Sequence, residues 1–387
     1  QFIFKLGSLR MGVLYARDRF ALPSLAPIIY TASIIVGGLI GFAITDGDPT
    51  PDGIVWGALA GAVFGNYGLQ WAGAHRAGLR WARGVPFRHP ALGAYAVMAV
   101  PLMVGQSFAV LDEQLIRIFG QFSGEGAVTA LSLARKVNMV PVGLVAQVAG
   151  IAAYPTLARL YAEGREPEMR DTTSRTLRLA FFVGGLATAG TIAVAPDLLR
   201  VLFERGAWTA DSTARAAAAL TIFALSIPFW ATHQMLSRSL YAQRKMWPPV
   251  IIGTLATLAA IPLYPWAVEN GTDGSLLAIA SVGGIALTTI GLGIRWWWGH
   301  ADEFGQVAGT ILRVTPAVAL GALGGRWAAD LIPSLGGGFV TALVSTLVGG
   351  SVAALLFWVV ARVLRTRELA VVAARLPGRW GGWLSGQ

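Results

Sequence analysis

The sequence predicts an all-α polytopic membrane protein, and three observations carry that prediction. Of its 387 residues, 55% are hydrophobic and 13% are charged, whereas soluble domains carry about 25% charged residues. Apolar runs of about 20 residues, the length that crosses a hydrocarbon core of roughly 30 Å, recur along the whole chain. The charges between these runs fall on alternate sides in a one-sided pattern, as loops of a multi-span protein do.

Taken in order, residues 1–19, QFIFKLGSLRMGVLYARDR, read as the last turns of a helix entering a basic loop. Spans are predicted at about 20–44, 53–75, 91–119, 126–157, 177–203, 212–241, 248–268, 274–297, 306–332 and 337–364, about ten transmembrane helices. If the loop at 76–90 is cytoplasmic, the inside loops hold Arg76, Arg80, Arg83 and Arg88, then Arg159, Arg165, Arg170, Arg175 and Arg178, and later Arg238, Arg295 and Arg362. The opposite loops hold Asp46, Asp48, Asp52, Glu125, Glu204, Asp211, Glu269 and Asp273, with Arg205 as the basic exception. Both ends of the chain are therefore expected in the cytoplasm. Trp296–Trp298 reads as an interfacial aromatic anchor, and 368–387 as an amphipathic tail on the cytoplasmic surface.

Several functions are disfavoured. There is no cysteine, so disulfides and thiolate metal sites are excluded. The net charge of +10 is almost wholly arginine, the only lysines being Lys5, Lys136 and Lys245, and it suits cytoplasmic loops rather than a nucleic-acid partner. No Gly-rich nucleotide loop with its lysine, metal-binding His/Cys cluster or nucleophile elbow is present. The reading is accordingly a protein that is not an enzyme, with no cofactor, no metal and no catalytic residue, acting as a monomer.

An internal repeat organises the domains. Leu14-Tyr15-Ala16-Arg17 recurs as Leu240-Tyr241-Ala242-Gln243, each copy followed by basic residues, a proline-marked helix start at Pro23 or Pro248, and an acidic outer loop. Parallel repeats of this kind build many transporters. Four spans precede the second copy and only a helix stub precedes the first, so about 130 residues, three spans and most of a fourth, are expected upstream of this chain. The whole would have fourteen helices in two lobes. On that basis 1–90 is the remainder of an N-terminal lobe (the end of helix 4, then helices 5 and 6), 91–305 a C-terminal lobe (helices 7–12), 306–365 two extra helices and 366–387 a tail.

The candidate site is the charged hairpin of spans 91–119 and 126–157. A charge at bilayer depth costs at least roughly 2.5–3.5 kcal/mol, so it faces a partner or a wet cavity. Thr129, Ser132, Lys136, Gly143 and Gln147 share one helical stripe, with Lys136 about 15 Å deep and Pro141 interrupting the backbone ladder beyond it. Arg135 points about 100° away and can reach the preceding helix, where Gln106, Glu113 and Arg117 share a face and Asp112 lies a step round. This cluster is either an ion-pair seam between two helices or a cationic site for an anionic headgroup, and the polar stripe favours the second. The residues expected at the substrate are Lys136, Arg135, Asp112, Glu113, Ser132, Asn138 and Gln106. On the span 212–241, Ser226, Trp230, His233, Gln234, Ser237 and Arg238 suit either a hydrogen-bonded helix seam or a cavity wall, and Asn66 and Gln70 are candidates for the same cavity.

The stretches ARDRFALPSLAPIIY, GEGAVTALSLARKVNMVPVGLVAQVAGIAAYPTLARL and LFERGAWTADST resemble the MurJ/MviN lipid II flippase family, within the superfamily of multidrug, oligosaccharidyl-lipid and polysaccharide exporters. The resemblance runs from about residue 10 to 365, most specifically from Gly124 through Pro155 and in Phe203-Glu204-Arg205-Gly206. It implies a fourteen-helix, two-lobe transporter of the bacterial inner membrane. Such a protein moves an undecaprenyl-diphosphate-linked peptidoglycan precursor by alternating access, with 306–332 and 337–364 forming a lipid-facing groove for the polyprenyl tail. Where the family reads Ala-Asp-Arg, this chain has Ala134-Arg135-Lys136, so the functional arginine maps to Lys136 and the aspartate to Arg135. Asp112 matches the acidic residue of the preceding helix, where some members hold sodium with Asn/Asp ligands from the eleventh helix. The corresponding segment here offers only Thr254 and Thr257. The alternatives are an exporter of O-antigen-type units or of drugs, or an integral-membrane polyprenyl-phosphate transferase. A drug exporter calls for an acidic cavity, and a transferase for metal-binding acidic motifs at the membrane surface.

Overall fold

The computed structural model describes residues 2–17, 19–45, 51–79, 90–150, 153–271, 273–298, 300–332 and 338–373, which are helices and short turns without a strand. They divide into two units, Gln1–His89 and Pro90–Gln387.

The first unit contains α1 (Phe2–Tyr15), α2 (Ala21–Ile44), α3 (Asp52–Gly61), a π-helical stretch Ala62–Leu69, and α4 (Gln70–Arg76). In lipid there is no water to expel, and helices associate by close packing of small residues. Glycines do this here: a Cβ on Gly37 would lie 2.5 Å from the Gly53 carbonyl oxygen, and one on Gly41 2.8 Å from the Gly53 Cα. The span expected at 53–75 is helical from end to end, but the wider π turns divide it into pieces too short to count as one long α-helix. Gln70 is buried inside this unit with neither amide atom bonded.

The second unit contains α5 (Pro90–Gly120), α6 (Ala127–Gly150), α7 (Ala153–Ala162), α8 (Glu166–Phe203), α9 (Ala210–Ala224), α10 (Ile227–Ala242), α11 (Trp247–Ala260), α12 (Leu263–Asn270), α13 (Leu277–Trp297), α14 (Ala301–Asp330), α15 (Phe339–Val363) and α16 (Arg367–Ala373). Eight helices among the described residues are long and apolar enough to cross a membrane, and α9 with α10, bent by 41°, makes a ninth. With the divided stretch of the first unit these account for the ten expected spans. Helix α8, expected at 177–203, starts at Glu166, and its 38 residues reach about 57 Å, well beyond a bilayer core. The Leu-Tyr-Ala repeat closes α1 in one copy and α10 in the other.

The bend between α9 and α10 has a local cause. Pro228 cannot donate to the Ala224 carbonyl four residues back, and its ring crowds that oxygen. Thr188 of α8 donates to the freed Ala224 carbonyl at 3.0 Å. Ser226 Oγ donates to the Phe223 carbonyl at 2.6 Å, and Thr289 of α13 to that of Phe229 at 3.1 Å. The Thr188 bond is the kind of replacement that a broken helix in lipid needs for a lost backbone bond.

Helices α14 and α15 pack on α8 and on each other. A Cβ on Gly325 would meet the Gly349 carbonyl oxygen at 2.6 Å and the Ala193 Cβ at 2.8 Å, so this three-helix contact depends on small residues. Ion pairs reinforce it: Arg170–Glu303 at 2.9 Å, Arg178–Glu368 at 3.2 Å and Arg326–Asp197 at 2.8 Å. Outward-facing Leu312, Leu323, Leu347 and Leu355 are exposed, as a surface solvated by hydrocarbon requires. The tryptophan triplet is not uniform. Trp298 is exposed, but Trp296 is buried beneath the Arg170 guanidinium, 5.0 Å from its ring, because α13 turns that side chain into the core. Of the expected amphipathic tail, residues 374–387 lie outside the described residues.

Candidate functional site

The hairpin of α5 and α6 brings Arg135 against Asp112, with Nη1 and Oδ2 2.5 Å apart. The remaining valences of that carboxylate are filled from distant helices. Tyr264 of α12 donates its hydroxyl to Oδ1, and Ser281 of α13 donates to Oδ2 at 3.0 Å. Both charged side chains are mostly buried, at 18% and 23% exposure. An ion pair taken out of water is tolerable only when its remaining hydrogen-bonding positions are filled, and this one meets that condition.

Lys136, the next residue, faces the other way. It is exposed on the second unit and has no ion-pair or hydrogen-bond partner among the described residues. Its position is about 14 Å along α6 from Ala127, so its isolation is a feature of the membrane-depth part of the helix. Glu113 pairs with Arg117 one turn later, at 2.5 Å, with both side chains about half exposed. Ser132 is half-buried. Asn138 is fully buried and donates to Ser226 Oγ at 3.1 Å, which joins α6 to the start of α10. The side chains of Gln106 and Gln147 lie outside the described residues. The structure thus divides the seven expected residues: Asp112 and Arg135 form one cluster, Lys136 stands apart on an exposed face, and Asn138 belongs to a buried helix seam.

A cavity of about 560 Å³ opens beside the Asp112–Arg135 pair, inside the second unit. Its wall draws on α5, α6, α10, α11, α12 and α13, and includes Thr254 and Thr257 of α11, Thr288 of α13, and Trp230, His233, Gln234 and Arg238 of α10. The polar stripe of α10 is therefore cavity wall over most of its length, while Ser226 at its start is the seam with Asn138. Tyr264 and Ser281 escaped the sequence reading. The only signal for them was that Asp112, an acid within a span, must find donors somewhere.

The resemblance implies a sodium site at Asp112 in some members, and the residues here do not fit it. Both oxygens of Asp112 are already engaged, a guanidinium neutralises its charge, and Thr254 and Thr257 bring no carboxylate. A cation placed there would meet Arg135 at close range.

A family model for the lipid II flippase MurJ matches residues 2–319. A probable lipid II flippase MurJ from Rhizobium tropici is 26% identical over 276 residues, covering 69% of this chain and 50% of the relative. Another from Bdellovibrio bacteriovorus is 25% identical over 277 residues, covering 69% of this chain and 51% of the relative. The chain spans about half the length of these curated relatives. A solved structure of a lipid II flippase MurJ in an inward closed conformation matches with a TM-score of 0.66 at 18% identity, over 94% of this chain and 72% of the other.

Proposed function

The chain belongs to the lipid II flippase MurJ family, and from that premise we propose that it is part of a transporter moving an undecaprenyl-diphosphate-linked peptidoglycan precursor across the bacterial inner membrane. The work is translocation by alternating exposure of a cavity to the two sides, and no bond of the substrate is made or broken. The fold likeness to a flippase in one named conformation supports such a cycle.

The observation that carries the assignment of a binding residue is the isolation of Lys136. A lone cation at that depth costs roughly 2.5–3.5 kcal/mol unless something compensates it. The diphosphate of the precursor is such a compensating group, held by charge-assisted hydrogen bonds from the ammonium. Arg135, already paired with Asp112, sets the rotation of α6 that points Lys136 outward and so positions it. The polyprenyl tail would stay in lipid along α14 and α15, with both chain ends cytoplasmic. Membrane lipids are its other partners, and the functional unit is a monomer.

In the protein expressed from its own gene, Lys136→Ala is expected to lower transport of fluorescent lipid II in proteoliposomes about tenfold or more, the loss expected for one charge-assisted contact. Unchanged transport in that variant would remove Lys136 from the site.

A further inference from the structure

We infer that the cavity within the Pro90–Gln387 unit is a second, anion-binding site, taking a phosphate-type oxyanion at Arg238. Among the described residues its wall holds one carboxylate, Asp112, and two guanidinium groups, Arg135 and Arg238. Asp112 is neutralised by Arg135 and fully engaged with Tyr264 and Ser281. The charge left over is that of Arg238. Its one partner among the described residues is the neutral side-chain oxygen of Gln234, at 3.3 Å. A half-buried guanidinium near the C-terminal end of α10, lining a cavity and without a carboxylate partner among the described residues, is suited to an anion, and its planar fork matches phosphate oxygens.

The neighbouring groups agree. Ser237, one residue before Arg238, offers a hydroxyl whose nearest polar partner is His233 Nε2 at a marginal 3.5 Å. His233 Nδ1 is buried with no hydrogen-bond partner among the described residues. These groups, with the Thr254 hydroxyl, can donate to an oxyanion and add no negative charge, whereas Thr257 and Thr288 already donate to the Gly253 and Gly284 carbonyls. The volume of about 560 Å³ is in the roughly 300–1,000 Å³ range of small-molecule sites, larger than a bare monatomic ion requires. A phosphate or diphosphate group fits this chemistry, whether free or carried on a lipid headgroup. The inference stands apart from the transport reading, since Lys136 does not line the cavity and the Arg238 variants leave Lys136 in place.

The test is thermal unfolding of the chain in nanodiscs of zwitterionic lipid, titrated with inorganic diphosphate, and in parallel in nanodiscs doped with undecaprenyl diphosphate. A saturable rise in the midpoint with either probe is expected, and the probe that acts identifies the source. Arg238→Gln should weaken the response about tenfold or more, while Arg238→Lys, which keeps the charge, should retain a weakened one. Because Lys136 is intact in Arg238→Gln, loss of the response in that variant separates this site from the transport site. Replacing choline by sodium should not move the midpoint. No saturable response to either probe, an undiminished response in Arg238→Gln, or stabilisation by sodium would each overturn the inference. Should Arg238→Gln fail to fold, an Arg238→Lys response as strong as that of the natural chain would do the same.

Discussion

At the residue scale, two adjacent cations have opposite circumstances. Arg135 is held by a carboxylate that has three donors, so removing either partner strands a charge in a nearly dry place. Arg135→Leu is expected to destabilise the chain toward the lower end of the roughly 3–5 kcal/mol seen on breaking buried pairs, since both side chains keep some exposure. Arg135→Leu combined with Asp112→Asn should recover most of that loss, and denaturation midpoints in detergent give the comparison. Lys136→Ala has no partner to strand and should change stability by no more than about 0.5 kcal/mol. A transport defect in that variant is then attributable to function. A third residue-scale case is the turn before α8, where Arg165 bonds both Glu163 and Glu168. That bonding holds the Glu168 carboxyl below its ordinary value of 4.5 and raises the guanidinium. A depressed carboxylate contributes stability above the unfolded-state value and loses it as the pH falls through the folded one. Arg165→Ala should therefore reduce the drop in melting midpoint on acidification below about pH 4.5, a small change because the groups are exposed.

At the element scale, glycine contacts and replaced hydrogen bonds hold the helices together. Gly325→Val would drive a side chain into the Gly349 carbonyl and Ala193 and separate α14 from α15 and α8. Such overpacking costs about 1–3 kcal/mol or more. Gly190 on α8 meets nothing within 4 Å, so Gly190→Ala should be neutral or stabilising by up to about 1 kcal/mol. Melting curves of the two variants distinguish packing glycines from spare ones. Asn138, read from the sequence as a substrate residue, belongs at this scale too. Its bond to Ser226 braces the start of α10, whose stripe then reaches the cavity as Trp230, His233, Gln234 and Arg238. The sequence shows a polar residue in an apolar span but not which helix it meets, because a helix surrounded by lipid has no polar side to orient it.

At the scale of the whole molecule, the absence of cysteine makes orientation easy to measure. Exposed Ala210, at the start of α9, is on the side expected outside, and exposed Ala162, at the end of α7, on the side expected inside. Ala210→Cys should react with an impermeant maleimide in intact cells, and Ala162→Cys only after permeabilisation. The reverse pattern would invert the positive-inside reading. The arginines on which that reading rests are partly structural: Arg170 and Arg178 are paired with Glu303 and Glu368 across helices, and so also fasten α14 and α16 to α8. Charge bias in sequence and ion pairing in the fold are two uses of the same side chains.

By itself, the sequence determined the helical membrane class, the approximate spans, the charged hairpin and the family likeness. Each of these follows from composition, run length or residues adjacent in the chain. Only the tertiary structure decided that Arg135, and not Lys136, neutralises Asp112. The two cations lie about 100° apart on one helix, and the rotation of that helix against its neighbour sets which one pairs. It also decided the donors from Tyr264 and Ser281, 152 and 169 residues away from Asp112, and with them the cavity where Arg238 has no counter-charge among the described residues. Uniformly apolar helices in lipid carry little periodic signal to mark their inner face, so these pairings appear only when the helices are packed.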